Sequence, residues 1–229
     1  MKTIDLNADV GEGFEFDNEL LEVVTSANIC CGTHAGSREL TATTVARCKA
    51  LSVPFGAHPG TEDRSSMGRS PVSITDHMAT SKLCESLREQ VERLANLGAS
   101  TLKLHGTLYN QTAYDYQFME TIADCLRDFR LPLLGLPGTL HEAMAEMLKV
   151  PLVSEGFADR AMNLDGTLVP RGYEGSLLTS EAAVVANSVS LASKVTTICL
   201  HGDTPGCVEL ATSVKTALES NGFRVKAWG

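Results

Sequence analysis

Short runs rich in branched and apolar residues alternate, along almost the whole chain, with longer stretches whose apolar positions recur every three or four residues. The short runs fall at 3–9, 26–31, 53–58, 100–105, 131–136, 151–157, 196–201 and 223–228. The longer stretches fall at 37–51, 75–97, 115–129, 139–148, 179–193 and 205–221. Strand-length and helix-length patterns in this order describe parallel strands joined by crossover helices. Seven or eight such units in 229 residues predict an α/β fold, a single-domain (β/α) barrel of seven or eight parallel strands over 1–229. A doubly wound open sheet is the alternative. No Pro/Ser/Gly-rich linker divides the chain, which favours one domain over two.

The stretch 75–97 shows the packing logic. Met78, Leu83, Leu87, Val91, Leu94 and Leu97 form one face, while Lys82, Glu85, Arg88, Glu89, Glu92 and Arg93 form the other. Gly98 then supplies a stop. Two segments break the alternation, 59–74 and 158–178. Each follows a strand end and carries arginines and acids, so both are expected to cover substrate at the rim of the barrel.

Four of the six histidines share one local pattern, an apolar run, then His, then a tiny residue or Pro: His34, His58, His105 and His201. A strand delivers its last side chain to the carboxyl edge of the sheet, where α/β enzymes do chemistry, so the repetition predicts one rim. Asp9 and Asp159 end their runs in the same way. Asn7 and Asp9 fall on one side of the first strand, with Glu12 just beyond. Lys103 stands two residues before His105 and therefore on the same face; inside a barrel such a Lys must be paired. Arg69 and Arg160 are the main anion-handling candidates, ahead of Arg64 and Arg171. Asp203 follows His201 closely. His77 and His141, near helix starts, are expected to be exposed.

Composition then removes whole classes of function. The formal charge is −9, with 19 basic and 28 acidic residues and no basic run, which argues against nucleic acid as a partner. No apolar stretch is long enough to span a membrane, and the start lacks the apolar segment and cleavage site of a signal peptide, so the expected location is cytoplasmic. Seven cysteines without a CxxC pair predict reduced thiols packed in the core. Cys30 and Cys31 together form a minor nucleophile candidate. Asp9, His34 and His58 are a candidate set for a divalent metal, since an acid with two histidines is a known facial arrangement. No GxxxxGK[ST] loop or strand-linked GxGxxG is present, so nothing in the chain itself marks a nucleotide site.

The segments DLNADVGEGF (5–14), TSANICCGTHAG (25–36), GAHPG (56–60), MGRS (67–70), KLHGTLYN (103–110), EGFADRAMNLDGTLVPR (155–171) and ICLHGD (198–203) together resemble the LamB/YcsF family, in family order across nearly the whole chain. The resemblance implies a (β/α) barrel distantly similar to polysaccharide deacetylases. It also implies a subunit of a 5-oxoprolinase, which opens the lactam of 5-oxo-L-proline to L-glutamate with ATP, bound through the complex, and with partner subunits B and C. In that scheme Asp9 or His105 is the base for water, Lys103 stabilises developing negative charge, and His201 completes the catalytic group. Arg160 holds the substrate carboxylate, with Asn7, Glu12, Arg69, Asp159 and Asp203 as further substrate contacts. The chain departs from the family pattern at Thr33 and Ser37, at Leu104 and at Ser70, where specificity is open to change. Two other readings stand beside this one: a stand-alone, metal-dependent, deacetylase-like hydrolase, and a non-catalytic subunit that presents substrate to a partner.

Overall fold

The computed structural model describes residues 2–171, 173–203 and 206–229. Position 205, where the sequence pattern starts the last helical stretch, and position 172, within the second rim segment, lie outside the described residues. The elements run β1 (Lys2–Val10), α1 (Asp17–Val23), β2 (Ser26–Cys30), α2 (Arg38–Leu51), β3 (Phe55–His58), α3 (His77–Asn96), α4 (Gly106–Tyr114) and α5 (Tyr116–Leu126). They continue with β4 (Leu133–Gly135), α6 (Leu140–Leu148), β5 (Leu152–Phe157), α7 (Glu181–Leu191), β6 (Thr197–His201), α8 (Cys207–Ser220) and β7 (Phe223–Val225).

The strands lie in the order β3-β2-β1-β6-β5-β4, and every pair in it is parallel. The expected run 100–105 forms no strand of its own. Leu102 instead bridges β3 at Ala57 and β4 at Leu133, both in parallel sense, and this one residue joins the two ends of the sheet. Its N–H donates to the Pro132 carbonyl at 2.9 Å and its carbonyl accepts from Leu134 at 2.8 Å. The segment is short because His105 already serves as the N-cap of α4. β7 pairs with Lys2–Ile4 at the start of β1, below the positions that β6 occupies in register from Asp5 onward. The result is the expected single-domain parallel barrel.

Polar and apolar residues alternate on β1, yet Ile4 through Val10 are all buried. Ile4, Leu6, Ala8 and Val10 belong to the apolar core, where the surrounding helices bury Leu20, Val45, Leu87, Val91, Leu94 and Val214. Each such side chain contributes roughly 1.5–3 kcal/mol relative to exposure. Asp5, Asn7 and Asp9 point the other way and meet side chains from β2, β5 and β6, so the interior of this barrel is polar and hydrogen-bonded. In α3 the face expected to pack does so through Leu87, Val91 and Leu94, while Met78 is exposed.

Two expectations about side chains are corrected. Cys84 of α3 and Cys125 of α5 are joined, 41 residues apart in sequence, with Cα atoms 5.3 Å apart. The contact arises from two helices packing side by side, which no local cysteine spacing announces. Cys30, Cys31, Cys48, Cys199 and Cys207 are free and buried. Burial pushes the Cys30 thiol up to about 12 and raises Cys31 as well, so neither is a nucleophile. His141 is also buried, not exposed. It takes an N–H from Leu136 on Nδ1 at 2.9 Å and gives its Nε2–H to the Tyr109 carbonyl at 3.0 Å, tying α6 to α4. His77 is exposed as expected.

Candidate active site

The carboxyl ends of β1, β3, β5 and β6, with the segment 103–106, surround one cleft. Asp9, Glu12, His58, Arg69, Lys103, His105, Arg160, Arg171, His201 and Asp203 all line it, so nearly every rim residue read from the sequence reaches one cleft. Asp159 stands one contact behind the wall, bonded to His201, and Asn7 lies a contact deeper, bonded to Asn28, Glu155 and Thr197.

At the floor, Lys103 Nζ lies 2.9 Å from Asp9 Oδ1, 2.9 Å from Glu155 Oε1 and 3.1 Å from Cys199 Sγ. Two of its N–H groups donate, to Asp9 and to Cys199, and Glu155 pairs with the ammonium by charge. Asn28 donates to Asp9 Oδ1 at 2.9 Å and to Asn7 Oδ1 at 2.8 Å; Asn7 in turn donates to Thr197 at 2.7 Å. Burial opposes the charge on Asp9, but His58 and Lys103 outweigh it and hold its carboxyl well below the usual range. Burial likewise opposes the Lys103 ammonium, and Asp9, Cys199 and Glu155 together keep it protonated far above its ordinary range. Lys103 is 2% exposed, so the pairing that its inward position demanded is met in full.

On one side of this floor stand three histidines and Glu12. His58 Nε2 is 3.0 Å from His105 Nδ1 and 3.4 Å from Asp9 Oδ2. Glu12 Oε1 is 3.4 Å from His105 Nδ1 and 3.3 Å from His34 Nε2. His34 stacks flat on His105, with centroids 3.7 Å apart and planes at 3°. Burial and the neighbouring histidines hold His34 and His105 well below the ordinary imidazole range, whereas Asp9 overcomes burial at His58 and raises it. Ligand atoms of Glu12, His34, His58 and His105 lie within 4.8 Å of one another, as do those of Asp9, Cys199 and His201. The geometry therefore brings Glu12 and His105 to His34 and His58, and Asp9 meets that group at His58.

On the other side His201 Nδ1 lies 2.9 Å from Asp159 Oδ1, and Asp159 also accepts the His201 backbone N–H at 3.3 Å. Phe157 stacks on the ring at 5.7 Å. His201 Nε2 is left facing the cleft, 4.0 Å from Asp9 Oδ2. Burial opposes the Asp159 charge, yet His201 keeps its carboxyl below the ordinary range.

The two rim segments are braced by arginines. Arg64 donates to the carbonyls of Gly32, Thr33 and Gly36, so it clamps the turn that carries His34 and handles no anion. Arg160 donates to the carbonyls of Val169 at 2.6 Å and Ser176 at 3.3 Å, holding the 158–178 segment in shape. Arg69 and Arg171 converge on Asp203 at the mouth, at 3.4 and 2.5 Å. Ser37, one of the family departures, caps α2 by accepting the Leu40 N–H at 3.1 Å. Leu104 is buried in the cleft wall, and Ser70 is exposed.

Glu155, Cys199, Tyr109 and Asn28 were not singled out from the sequence as site residues. Glu155 could have been, because it stands alone as an acid in the buried run LVSEGF and so requires a cation. Tyr109 and Asn28 carried no comparable signal.

The LamB/YcsF family model matches residues 4–229. The A subunit of a 5-oxoprolinase from Streptomyces avermitilis is 39% identical over 98% of this chain and 99% of that protein. Its counterpart from Haemophilus influenzae is 36% identical over 99% of this chain and 100% of its own length. Among solved structures, the lactam utilization protein from Thermus thermophilus has a TM-score of 0.83 and 30% identity, over the whole of both chains. A family 4 carbohydrate esterase from Streptomyces lividans, at 9% identity and a TM-score of 0.56 over 100% of this chain and 93% of its own, shares the fold alone. No helix among the described residues is long and apolar enough to cross a membrane. Since the residues that converge on the cleft are those of the seven motifs, and the family model covers them all, this chain belongs to the LamB/YcsF family.

Proposed function

We propose that this chain is the A subunit of a cytoplasmic, ATP-dependent 5-oxoprolinase, and that 1–229 forms one catalytic domain that opens the lactam of 5-oxo-L-proline to L-glutamate with partner subunits B and C. Full-length likeness to proteins bearing that name supports the choice of substrate. The observation that carries the chemistry is the Asp159–His201 pair, with one imidazole nitrogen clamped by a buried carboxylate and the other open to the cleft.

Opening a lactam requires water to lose a proton as it attacks the carbonyl and the ring nitrogen to gain one as it leaves. His201 suits both steps. Asp159 accepts from Nδ1–H and so fixes the tautomer in which Nε2 carries the lone pair. Asp9 is a poorer base than its position suggests, because His58 and Lys103 hold it as a stable anion; we assign it the task of favouring the imidazolium that His201 becomes. Lys103 is assigned as a positioning residue, since its ammonium is buried and its charge is already paired with Asp9 and Glu155. Arg69 and Arg171 place positive charge at the mouth for the substrate carboxylate, with Arg160 setting the loop that carries Arg171.

Amide resonance makes the lactam a reluctant electrophile, which is the physical reason to couple its opening to ATP. With no phosphate-binding loop in the sequence, we assign the main nucleotide contacts to the partner subunits. The test is a reconstitution in which each subunit is omitted in turn and glutamate is measured. Glutamate is expected only when all three subunits and ATP are present, and this chain with ATP alone is expected to form a negligible amount. Robust ATP-dependent glutamate formation by this chain alone, or none by the three together, would overturn the reading.

A further inference from the structure

His58 and His105 face each other in a way that protein atoms alone leave unsatisfied. His58 Nδ1 lies 2.8 Å from the Lys103 carbonyl oxygen, and His105 Nε2 lies 2.7 Å from the Met67 carbonyl oxygen. A carbonyl oxygen only accepts, so both of these nitrogens carry protons. In neutral rings the opposite nitrogens, His58 Nε2 and His105 Nδ1, are then two bare lone pairs, 3.0 Å apart. Glu12 Oε1 adds a third, 3.4 Å from His105 Nδ1 and 3.9 Å from His58 Nε2. Three electron pairs converging in a buried pocket repel unless a positive particle sits among them.

We propose that Glu12, His58 and His105 bind a divalent first-row transition ion, with zinc as the natural occupant of this two-nitrogen, one-oxygen set. The spacings between donors match the edges of a coordination polyhedron with bonds of about 2.0–2.2 Å. The planes of the two rings stand at 86°, so each lone pair can point at one shared centre. The two backbone carbonyls fix the tautomers from behind, as partners of ligating histidines generally do. All three ligands line the cleft, which leaves the ion open to a small molecule.

His34 is excluded from the ligand set by its own stacking. An ion on an imidazole lone pair lies in the plane of the ring, and it cannot lie in two parallel planes whose rings are 3.7 Å apart. His34 instead gives its Nε2–H to Glu12 at 3.3 Å and orients that carboxylate, while its Nδ1 is buried without a partner. A Cβ at Gly60 would come within 2.2 Å of that nitrogen, so backbone is packed directly against it. Asp9 stands at 3.4 Å from His58 Nε2 as a counter-charge. The ligand set thus replaces the trio Asp9, His34 and His58 expected from the sequence.

The only other particle that fits between the rings is a proton, which would make His58 an imidazolium. To separate the two, the full-length chain is stripped with a chelator, then titrated with Zn²⁺ by calorimetry and with Co²⁺ by its visible absorption. One ion per chain is expected. Glu12→Gln, His58→Ala and His105→Ala should each weaken binding a hundredfold or more, and His34→Ala by roughly 10–100-fold. Asp9→Asn should keep the Co²⁺ spectrum. Circular dichroism reports folding, and the shape-preserving Glu12→Gln decides the matter where a histidine variant does not fold. A wild-type chain that takes up neither ion at millimolar concentration overturns the proposal in favour of the shared proton. Retention by Glu12→Gln with loss in Asp9→Asn and His34→Ala overturns the ligand set. Neither result depends on 5-oxoproline turnover, so the metal site and the proposed activity can fail separately.

Discussion

Lys103 shows how far one residue's chemistry can be read before its neighbours are known. Its place two residues before His105 demanded a partner, and the barrel interior supplies Asp9, Glu155 and Cys199. A rim lysine could be removed at little structural cost, but a fully buried one cannot. Lys103→Met should destabilise the fold by about 3–5 kcal/mol, because two buried carboxylates lose their cation at once. Urea unfolding measures this, and a loss under about 1 kcal/mol would mean that the pairing is not formed. Asp159 carries the opposite expectation. Asp159→Asn should leave the melting temperature nearly unchanged while turnover in the reconstituted complex falls by about 10²–10⁴-fold, since His201 loses the partner that sets its tautomer. Turnover within threefold of wild type would show that this clamp is not used.

Among elements, the strands were the easiest to read, and β1, β3 and β6 also carry an acid or a histidine at or beside the carboxyl end. The run 100–105 became a single bridge because its last residue, His105, already caps α4. Two helices, Asp17–Val23 and Gly106–Tyr114, were missed: the first has seven residues, and the second, GTLYNQTAY, is rich in poor helix formers. α4 also begins at a glycine with φ +54°, where a Cβ would lie 2.5 Å from the Gly68 carbonyl oxygen. The loop 59–74 that contains Gly68 also receives the His105 Nε2–H, so Gly106→Ala should push this loop off His105 and lower both stability and activity. Equal melting temperatures for wild type and variant would contradict that.

His141 makes the docking of α6 sensitive to pH. Burial lowers it to about 4, below the 6.5 of a free imidazole. Between these values the unfolded chain takes up a proton that the folded chain refuses, so stability is fully present above about 6.5 and declines as pH falls toward 4. The decline from this residue is about 3 kcal/mol over that window. Unfolding curves at pH 7 and pH 5 should show the loss in wild type and a smaller one in His141→Gln; equal losses would place the sensitivity elsewhere.

For the molecule as a whole, the alternation of elements was enough for the barrel, and the strand-end histidines and acids were enough for the cleft. The partition of the cleft was not legible, because it depends on contacts between residues far apart in sequence. Asp9 and Lys103 are separated by 94 positions and His201 and Asp159 by 42. Spacing within one motif can place a side chain at the rim, yet only closure of the barrel decides which nitrogen faces which carboxylate. That closure turns His201 Nε2 toward the cleft with no hydrogen bond among the described residues, and pairs the nitrogen of Lys103 with Asp9 and Glu155.

The central claim, that His201 carries the proton in lactam opening, is tested most directly by glutamate formation from 5-oxoproline in the complex reconstituted with wild-type chain or with His201→Asn, with melting temperatures taken on the same preparations. The account predicts a fall of roughly a hundredfold or more at an unchanged melting temperature, the usual scale for loss of an acid/base group. Glutamate formation near the wild-type rate in a folded His201→Asn complex would contradict it.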